Sequence, residues 1–467
     1  MATKLLKRAK LQKLLEWYKS EHRKPLILYG ARQVGKTTLV QHFAQQHVKR
    51  FYYFNLEDIQ VQREFQHIRT VRDFLRFIEA KTGKTPPQNA LFFFDEVQNN
   101  LNVLKLLRFF KEDYPQYAVI VTGSWLNLYI QKVLKQGEFS SPVGRVAFMT
   151  LHPLSFLEYL SNKNQLAYQR LVEDPLNVQE SIHSLYLQEF YNYMLLGGMP
   201  EVVSTCNLEA CEQASDIHRH ILNTIANDLH KYLPTNYDKA LQVFEAIFRN
   251  PAQGWTKSKL LPNTNARTTQ KILDALHYSF LITPVYKTIA TQLPLTQSPK
   301  NATKYLSLDI GLSMTMSGVF KQQFVLVNSG ERFLANLEDS HKGHLAEQVV
   351  GQLLLTTFFN EYTPFIDALY YWTNKKGDAE IDFLVNYGGK LLGIEVKSGK
   401  AGKLRSLITF LNKSEHSVGV RIYAGPFKVE KISLTSKPII SVPFYMIELI
   451  PRILEDLGLL WTRRHMI

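Results

Sequence analysis

The run Gly30-Ala-Arg-Gln-Val-Gly35-Lys36-Thr37 matches G-x-x-x-x-G-K-[ST], a loop whose backbone N–H groups cradle nucleotide phosphates. Leu26–Tyr29 before it reads as a short buried strand, and the residues from Thr38 onward read as a helix. The loop therefore stands at a helix N-terminus, where anionic oxygens are stabilised. Gly30, Ala31, Arg32, Gln33, Val34, Gly35, Lys36, Thr37 and Thr38 form the expected phosphate site, with Lys36 reaching the β/γ-phosphates and the Thr37 hydroxyl holding Mg²⁺. Leu91-Phe-Phe-Phe-Asp95-Glu96 then describes a buried strand that ends in two acids. Asp95 is placed to hold Mg²⁺, directly or through water. Glu96 is placed to orient and deprotonate the attacking water, which binding alone would not require. A third strand, Ala118–Thr122, sets Thr122 beside the γ-phosphate as a sensor; the plainer alternative is a strand end followed by a helix cap at Ser124. Arg145 follows Gly144 just before Val146-Ala-Phe-Met149. Delivered to the γ-phosphate, in cis or from a neighbouring copy, it would stabilise transition-state charge; otherwise it is a structural ion pair.

A second phosphate chemistry is suggested by the segment from Glu380 to Lys397. Gly388-Gly389 is a strong two-residue hairpin turn signal. Centring the turn there sets Asp382 opposite Glu395 and Glu380 opposite Lys397. Alternation sends Ile381, Phe383, Val385, Leu392, Ile394 and Val396 to one apolar face and gathers three carboxylates and a lysine on the other. Directly opposed side chains have Cβ atoms about 5 Å apart, so Asp382 and Glu395 repel unless a divalent cation lies between them. Mg²⁺ commonly takes one or two carboxylates with waters and phosphate oxygens. Lys397 points the same way and would orient a hydroxide or stabilise a pentacovalent phosphate. The alternative is a solvated charged face with a Glu380–Lys397 surface pair. The D…E-x-K pattern on adjacent strands resembles the core of PD-(D/E)XK nucleases, with Ile381 in place of the eponymous proline. That resemblance implies that Glu347, in the helical pattern from His344 to Leu355, joins Asp382 and Glu395 as a metal ligand. It makes Glu395 and Lys397 catalytic and allows Mn²⁺ as well as Mg²⁺.

Further segments bear on partners. Lys257 to Tyr278 reads as a helix-turn-helix whose second helix presents Arg267, Thr268, Gln270 and Lys271, with Leu281–Lys287 as a wing. Residues 1–50 carry 12 Lys/Arg against 2 Glu. Leu5, Leu6, Leu11, Leu14, Leu15 and Trp17 are interleaved at helical spacing, so this stretch reads as a basic amphipathic helix, either contacting nucleic acid or solvated.

The elements that position these groups follow from pattern and length. At 467 residues, two to four domains are expected. Hydrophobic content of 45% and charged content of 21% are those of a globular chain. A net charge of +14 suggests an anionic partner, and the nucleic acid expected as partner is DNA more than RNA. No apolar segment approaches bilayer length, and the N-terminus lacks a signal-peptide core, so no integral membrane association and a cytoplasmic location are expected. Cys206 and Cys211 read as reduced and structural. Strand-like runs alternate with helical patterns to residue 160, which indicates a mainly parallel α/β sheet. The expected organisation is a P-loop ATPase domain with a basic N-terminal helix at 1–160 and a helical region at 161–245. A winged-helix-like segment at 246–330 and an α/β nuclease-like domain at 331–467 complete it.

Gly30–Thr38, Phe93–Glu96, Thr122–Ser124, Gly144-Arg145, Leu151–Phe156, Gly197–Glu201 and Tyr305–Leu312 occur in this order. The series resembles bacterial and archaeal AAA+-class ATPases that carry a C-terminal domain of unknown function related to PD-(D/E)XK nucleases. The resemblance implies ATP and Mg²⁺ as cofactors and gives Arg145 the position of an arginine finger. Two functions fit. One is an ATPase controlling a metal-dependent nuclease, with a homo-oligomer open. The other is an ATP-driven switch whose nuclease-like domain only docks DNA or protein.

Overall fold

In a computed structural model, the structure describes residues 5–135, 144–206, 211–298, 302–328, 333–334, 336–359, 361–364, 367–399, 404–415 and 417–459. Residues 1–4, on which the signal-peptide reading partly rests, lie outside these. The chain forms two compact units. One holds residues 7–152 with 278–280; the other holds 1–6, 153–277 and 281–467.

The first unit is built on five strands: β1 (Leu26–Tyr29), β2 (Phe51–Asn55), β3 (Leu91–Asp95), β4 (Ala118–Thr122) and β5 (Ala147–Thr150). They pair in the order β2-β3-β4-β1-β5, and every pair is parallel. β1, β3 and β4 are buried at every residue. A parallel sheet covered on both faces has no polar side, which is why these strands read as unbroken apolar runs. Phe54, Phe74, Phe92 and Phe94 pack ring against ring beside β3.

The basic N-terminal segment does form a helix, Lys10–Lys19, which buries Leu14. Several of its neighbours hold the unit together. Arg8 donates to the carbonyls of Val34 at 3.0 Å and His152 at 2.6 Å, and Arg23 donates to Asn89 Oδ1 and the Gln116 carbonyl. Arg8 and Arg23 thus fasten backbone, a use the sequence reading did not give them.

The second unit contains one nine-stranded sheet. Its strands are β6 (Gly254–Trp255), β7 (Ile282–Thr288), β8 (Thr303–Ser307), β9 (Leu369–Thr373), β10 (Glu380–Tyr387), β11 (Lys390–Val396), β12 (Ser417–Tyr423), β13 (Lys428–Glu430) and β14 (Ile439–Pro443). The order is β13-β14-β12-β11-β10-β9-β7-β8-β6. β7 pairs with β9 in parallel, so the sheet runs straight through the boundary expected near residue 330. The expected wing, Leu281–Lys287, largely coincides with β7, an internal strand between β8 and β9.

The family-like motifs of this unit converge on Asp309. Its carboxylate accepts from the backbone of Gly198 (2.7 Å), Gly311 (2.9 Å) and Leu312 (3.3 Å) and from the Gln352 amide. Gly197 has φ +73, and a Cβ there would fall 2.0 Å from Asp309 Oδ1. A Cβ on Gly198 would fall 2.1 Å from the Leu154 carbonyl oxygen. The two glycines are therefore required for close backbone approach.

Candidate functional site

The P-loop follows β1 and opens the helix Lys36–His47, whose first turn contains no acidic residue. Gly35 caps that helix with φ 92, and Gln33 also lies in the left-handed region at φ 64. Gly30 has φ 145, and a Cβ there would meet the Leu151 carbonyl oxygen at 2.3 Å. Val34 and Ala31 are buried, Arg32 is half-buried and Thr38 is exposed on the first turn. Lys36 is buried, and its Nζ donates to the carbonyls of Gly30 at 3.0 Å and Ala31 at 2.8 Å. Burial pushes the Lys36 ammonium down to about 8, against the pull of Glu96 and Asp95.

β3 delivers Asp95 to the same place. Thr37 Oγ1 donates to Asp95 Oδ2 at 2.6 Å, and the Thr122 hydroxyl donates to Asp95 Oδ1. Tyr53 on β2 adds a hydroxyl at 3.4 Å. Glu96 takes left-handed backbone angles, φ 51 and ψ 45, which are uncommon away from glycine. Its carboxylate accepts from Gln98 Nε2 at 2.5 Å and from Ser124 Oγ at 3.3 Å. Lys36, Thr37, Asp95, Glu96 and Thr122 are thus drawn together from three neighbouring strand ends. Arg145 is not part of that cluster: its Nε donates to Glu112 Oε1 at 2.6 Å, and Glu112 also accepts from Arg108. Gln98 and Tyr53 were missed by sequence reading. Only Gln98, two residues past the acid pair, carried a usable signal.

Residues 22–160 match the family described as an AAA domain. The N-terminal unit is an AAA-family P-loop ATPase domain. Residues 187–323 and 342–445 match two domains of unknown function, DUF8612 and DUF4143. An uncharacterised protein of Haemophilus influenzae is 26% identical over 65% of this chain and 71% of its own length. An uncharacterised protein of Methanocaldococcus jannaschii is 21% identical over 59% of each chain. Among solved structures, a mutant RuvB of Thermotoga maritima matches at 12% identity and a TM-score of 0.29, covering 63% of this chain and 93% of that one. The Aeropyrum pernix ORC1 protein in complex with DNA matches at 10% and 0.29, covering 66% and 91%. Scores this low bear no weight on function.

Beyond the AAA-family domain, the C-terminal hairpin takes the register expected of it. Phe383 pairs with Ile394 and Tyr387 with Lys390, across a turn in which Gly388 (φ 56) and Gly389 (φ 73) are both left-handed. That register brings Asp382 and Glu395 to neighbouring strands, and Asp382 Oδ2 accepts from the Val396 backbone N–H at 2.7 Å. The expectation of one apolar face fails at Ile381. The β9–β10 register shifts between Ile381 and Leu384. Ile381 accordingly packs in one core with Leu384, Leu391 and Phe410, while Phe383 approaches Gly351 on the helix Asp339–Phe358. A bulge of this kind re-aims side chains beside a site.

The charged partners also differ from expectation. Lys397 Nζ lies 2.5 Å from Glu395 Oε1, not against Glu380. Glu380 and Glu347 both pair with Lys304, each at 2.8 Å, and Asp382 lies 3.8 Å from the same Nζ. Glu395 Oε2 is buried without a hydrogen-bond partner. Burial and the neighbouring Glu347 push Asp382 well above the usual carboxylate range. Burial and Asp382 push Glu395 up to about 7, opposed by Lys397. Among the described residues no group of three His, Cys, Asp or Glu side chains is arranged to hold a metal ion. Of the expected ligands, Glu347 and Asp382 stand with Glu380 around the Lys304 ammonium, while Glu395 pairs with Lys397. Lys304 carried no sequence signal.

Proposed function

We propose that this AAA-family domain hydrolyses ATP with Lys36, Thr37, Asp95 and Glu96 and thereby switches the state of the C-terminal unit, which docks DNA. The observation that carries the ATPase reading is the Thr37–Asp95 hydrogen bond of 2.6 Å, with Thr122 on the other carboxylate oxygen. Two oxygens preset at this distance fit a Mg²⁺ ion, which takes one or two protein ligands and completes its shell with water and phosphate. When bound, that ion neutralises charge on the β/γ-phosphates. Lys36 exchanges the Gly30 and Ala31 carbonyls for phosphate oxygens. Glu96 orients the attacking water, and Gln98 and Ser124 hold its carboxylate in place. Arg145 acts as an arginine finger only after leaving Glu112, which a neighbouring copy in a homo-oligomer would have to drive.

The test is ATP turnover and nucleotide binding in three proteins. Lys36→Ala is expected to lose both. Glu96→Gln is expected to keep binding and lose turnover by about 10²-fold or more. Full turnover by Lys36→Ala would sink the assignment.

DNA docking is supported by the helices Lys257–Leu260 and Ala266–Tyr278, which fall on the helix-turn-helix pattern of the sequence. Arg267 and Lys271 are exposed on the second helix, and Thr268 and Gln270 are half-buried. The net charge of +14 favours an anionic partner. Among the described residues no helix is long and apolar enough to cross a membrane, and we place the protein in the cytoplasm.

A second reading, a Mg²⁺- or Mn²⁺-dependent nuclease, is favoured by the Lys397–Glu395 pair and the partnerless Glu395 Oε2. Incubation with plasmid, single-stranded DNA and RNA, with either metal and with or without ATP, tests it. Cleavage that Asp382→Ala abolishes supports the nuclease reading; cleavage unchanged in that variant rejects it.

A further inference from the structure

Lys304 lies on β8, outside the hairpin that gathers the acids. Its side chain is 11% exposed. One ammonium contacts carboxylates from two further elements: Glu347 on the helix Asp339–Phe358, and Glu380 and Asp382 on β10. Its Nζ also sits 5.1 Å from the centre of the Tyr371 ring on β9, a cation–π distance.

A divalent ion at these oxygens and this ammonium exclude each other. Mg²⁺ needs oxygens at about 2.0–2.1 Å in near-octahedral array. The Glu347 and Glu380 oxygens are instead set at hydrogen-bond distance, 2.8 Å, from a nitrogen. A second cation within a few ångströms of a buried positive charge is strongly repelled where the effective dielectric constant is low.

We propose that Lys304 is a tethered counter-cation that takes the place of a divalent metal, so that the native chain keeps its nuclease-like acids metal-free. The cluster then works as a clasp between β8, the helix Asp339–Phe358 and β10. Removing the lysine should turn the clasp into a metal site, because the carboxylates remain and their charge is no longer balanced. Glu395 Oε2, buried and without a partner, is available to such an ion. The inference rests on this geometry and is independent of the ATPase reading. It opposes the nuclease reading directly.

The test is Mn²⁺ binding to the full chain without nucleotide, followed by the electron paramagnetic resonance of free Mn²⁺. Wild type, Asp382→Asn, Lys304→Met and Lys304→Met with Asp382→Asn are compared. Wild type and Asp382→Asn are expected to be indistinguishable, which sets aside any Mn²⁺ held at the P-loop. Lys304→Met is expected to gain one site that the second substitution removes, at least about tenfold tighter than any in wild type. Wild-type Mn²⁺ binding that Asp382→Asn abolishes would overturn the proposal, as would a folded Lys304→Met that gains no site. Should Lys304→Met fold only when Mn²⁺ is present, the proposal stands. A folding failure that Mn²⁺ does not rescue overturns it.

Discussion

Glu96 occupies a backbone conformation that costs a non-glycine residue about 1–3 kcal/mol and persists only where surroundings enforce it. Gln98 is one enforcer, since its amide grips the Glu96 carboxylate. A Cβ on Gly123 would fall 2.1 Å from Gln98 Oε1, so that amide also fills the space beside the end of β4. Gln98→Ala should therefore lower kcat for ATP by about tenfold while KM stays within about twofold, the split expected when a transition-state group is misplaced. Steady-state kinetics measures it. Glu448 offers a pH-linked prediction. Its buried carboxylate accepts from the Leu157 backbone N–H at 2.8 Å, yet burial still pushes it up to about 7. A carboxyl raised on folding contributes stability that is full below its unfolded value, near 4.3, and is lost as pH climbs through its folded value. Glu448→Gln should thus flatten part of the decline in Tm between pH 4.5 and 7, as a thermal scan at stepped pH would show. At this scale the cluster of Thr37, Asp95 and Thr122 beside the P-loop was legible and the ion pairs of Lys304 were not. Lys36, Thr37, Asp95 and Glu96 are each fixed by a short strand and the turn that leaves it, so local pattern suffices. Lys304 meets Glu347 from 43 residues away, with no local pattern linking the two.

The hairpin β10–β11 was legible as an element because its turn alone sets the register. Gly388 and Gly389 both have positive φ, which matches the twist of the flanking strands. A Cβ on Gly389 would meet nothing within 4 Å, so any cost of a side chain there is conformational. Gly389→Val should destabilise the C-terminal unit by about 1–2 kcal/mol without changing ATP turnover; denaturant titration and an ATPase assay check the two halves. The β9–β10 register shift was not legible, because strict alternation is the only rule a strand sequence offers. It separates Ile381 from Phe383 and lets Asp382 reach toward Lys304. Buried parallel strands such as β3 were found but gave no facing information, since both sides are apolar.

At the scale of the whole chain, sequence periodicity placed a boundary near residue 330, inside a sheet whose strands β7 and β9 pair across it. Nothing in β7 or β9 announces that they pair, because partner choice across about eighty residues is decided by packing and not by local propensity. A prediction follows for truncation. A fragment starting at residue 336 keeps the domain-of-unknown-function match at 342–445 but exposes the β9 edge and loses Lys304. It should aggregate through that open strand, whereas a fragment starting at residue 153, which keeps the residues that hold Asp309 and Glu448, should remain monodisperse; size-exclusion chromatography distinguishes them.

The pairing of β7 with β9 carries a kinetic consequence as well. Strands that share one hydrogen-bonded sheet tend to open as a cooperative unit. Backbone amides of β8, near one edge, should therefore exchange with deuterium at the same opening free energy as those of β11 in the middle. A protein in which a nucleic-acid module simply preceded a separate nuclease-like module would show two exchange classes. This sheet should show one, so loosening any strand within it would be felt at every other.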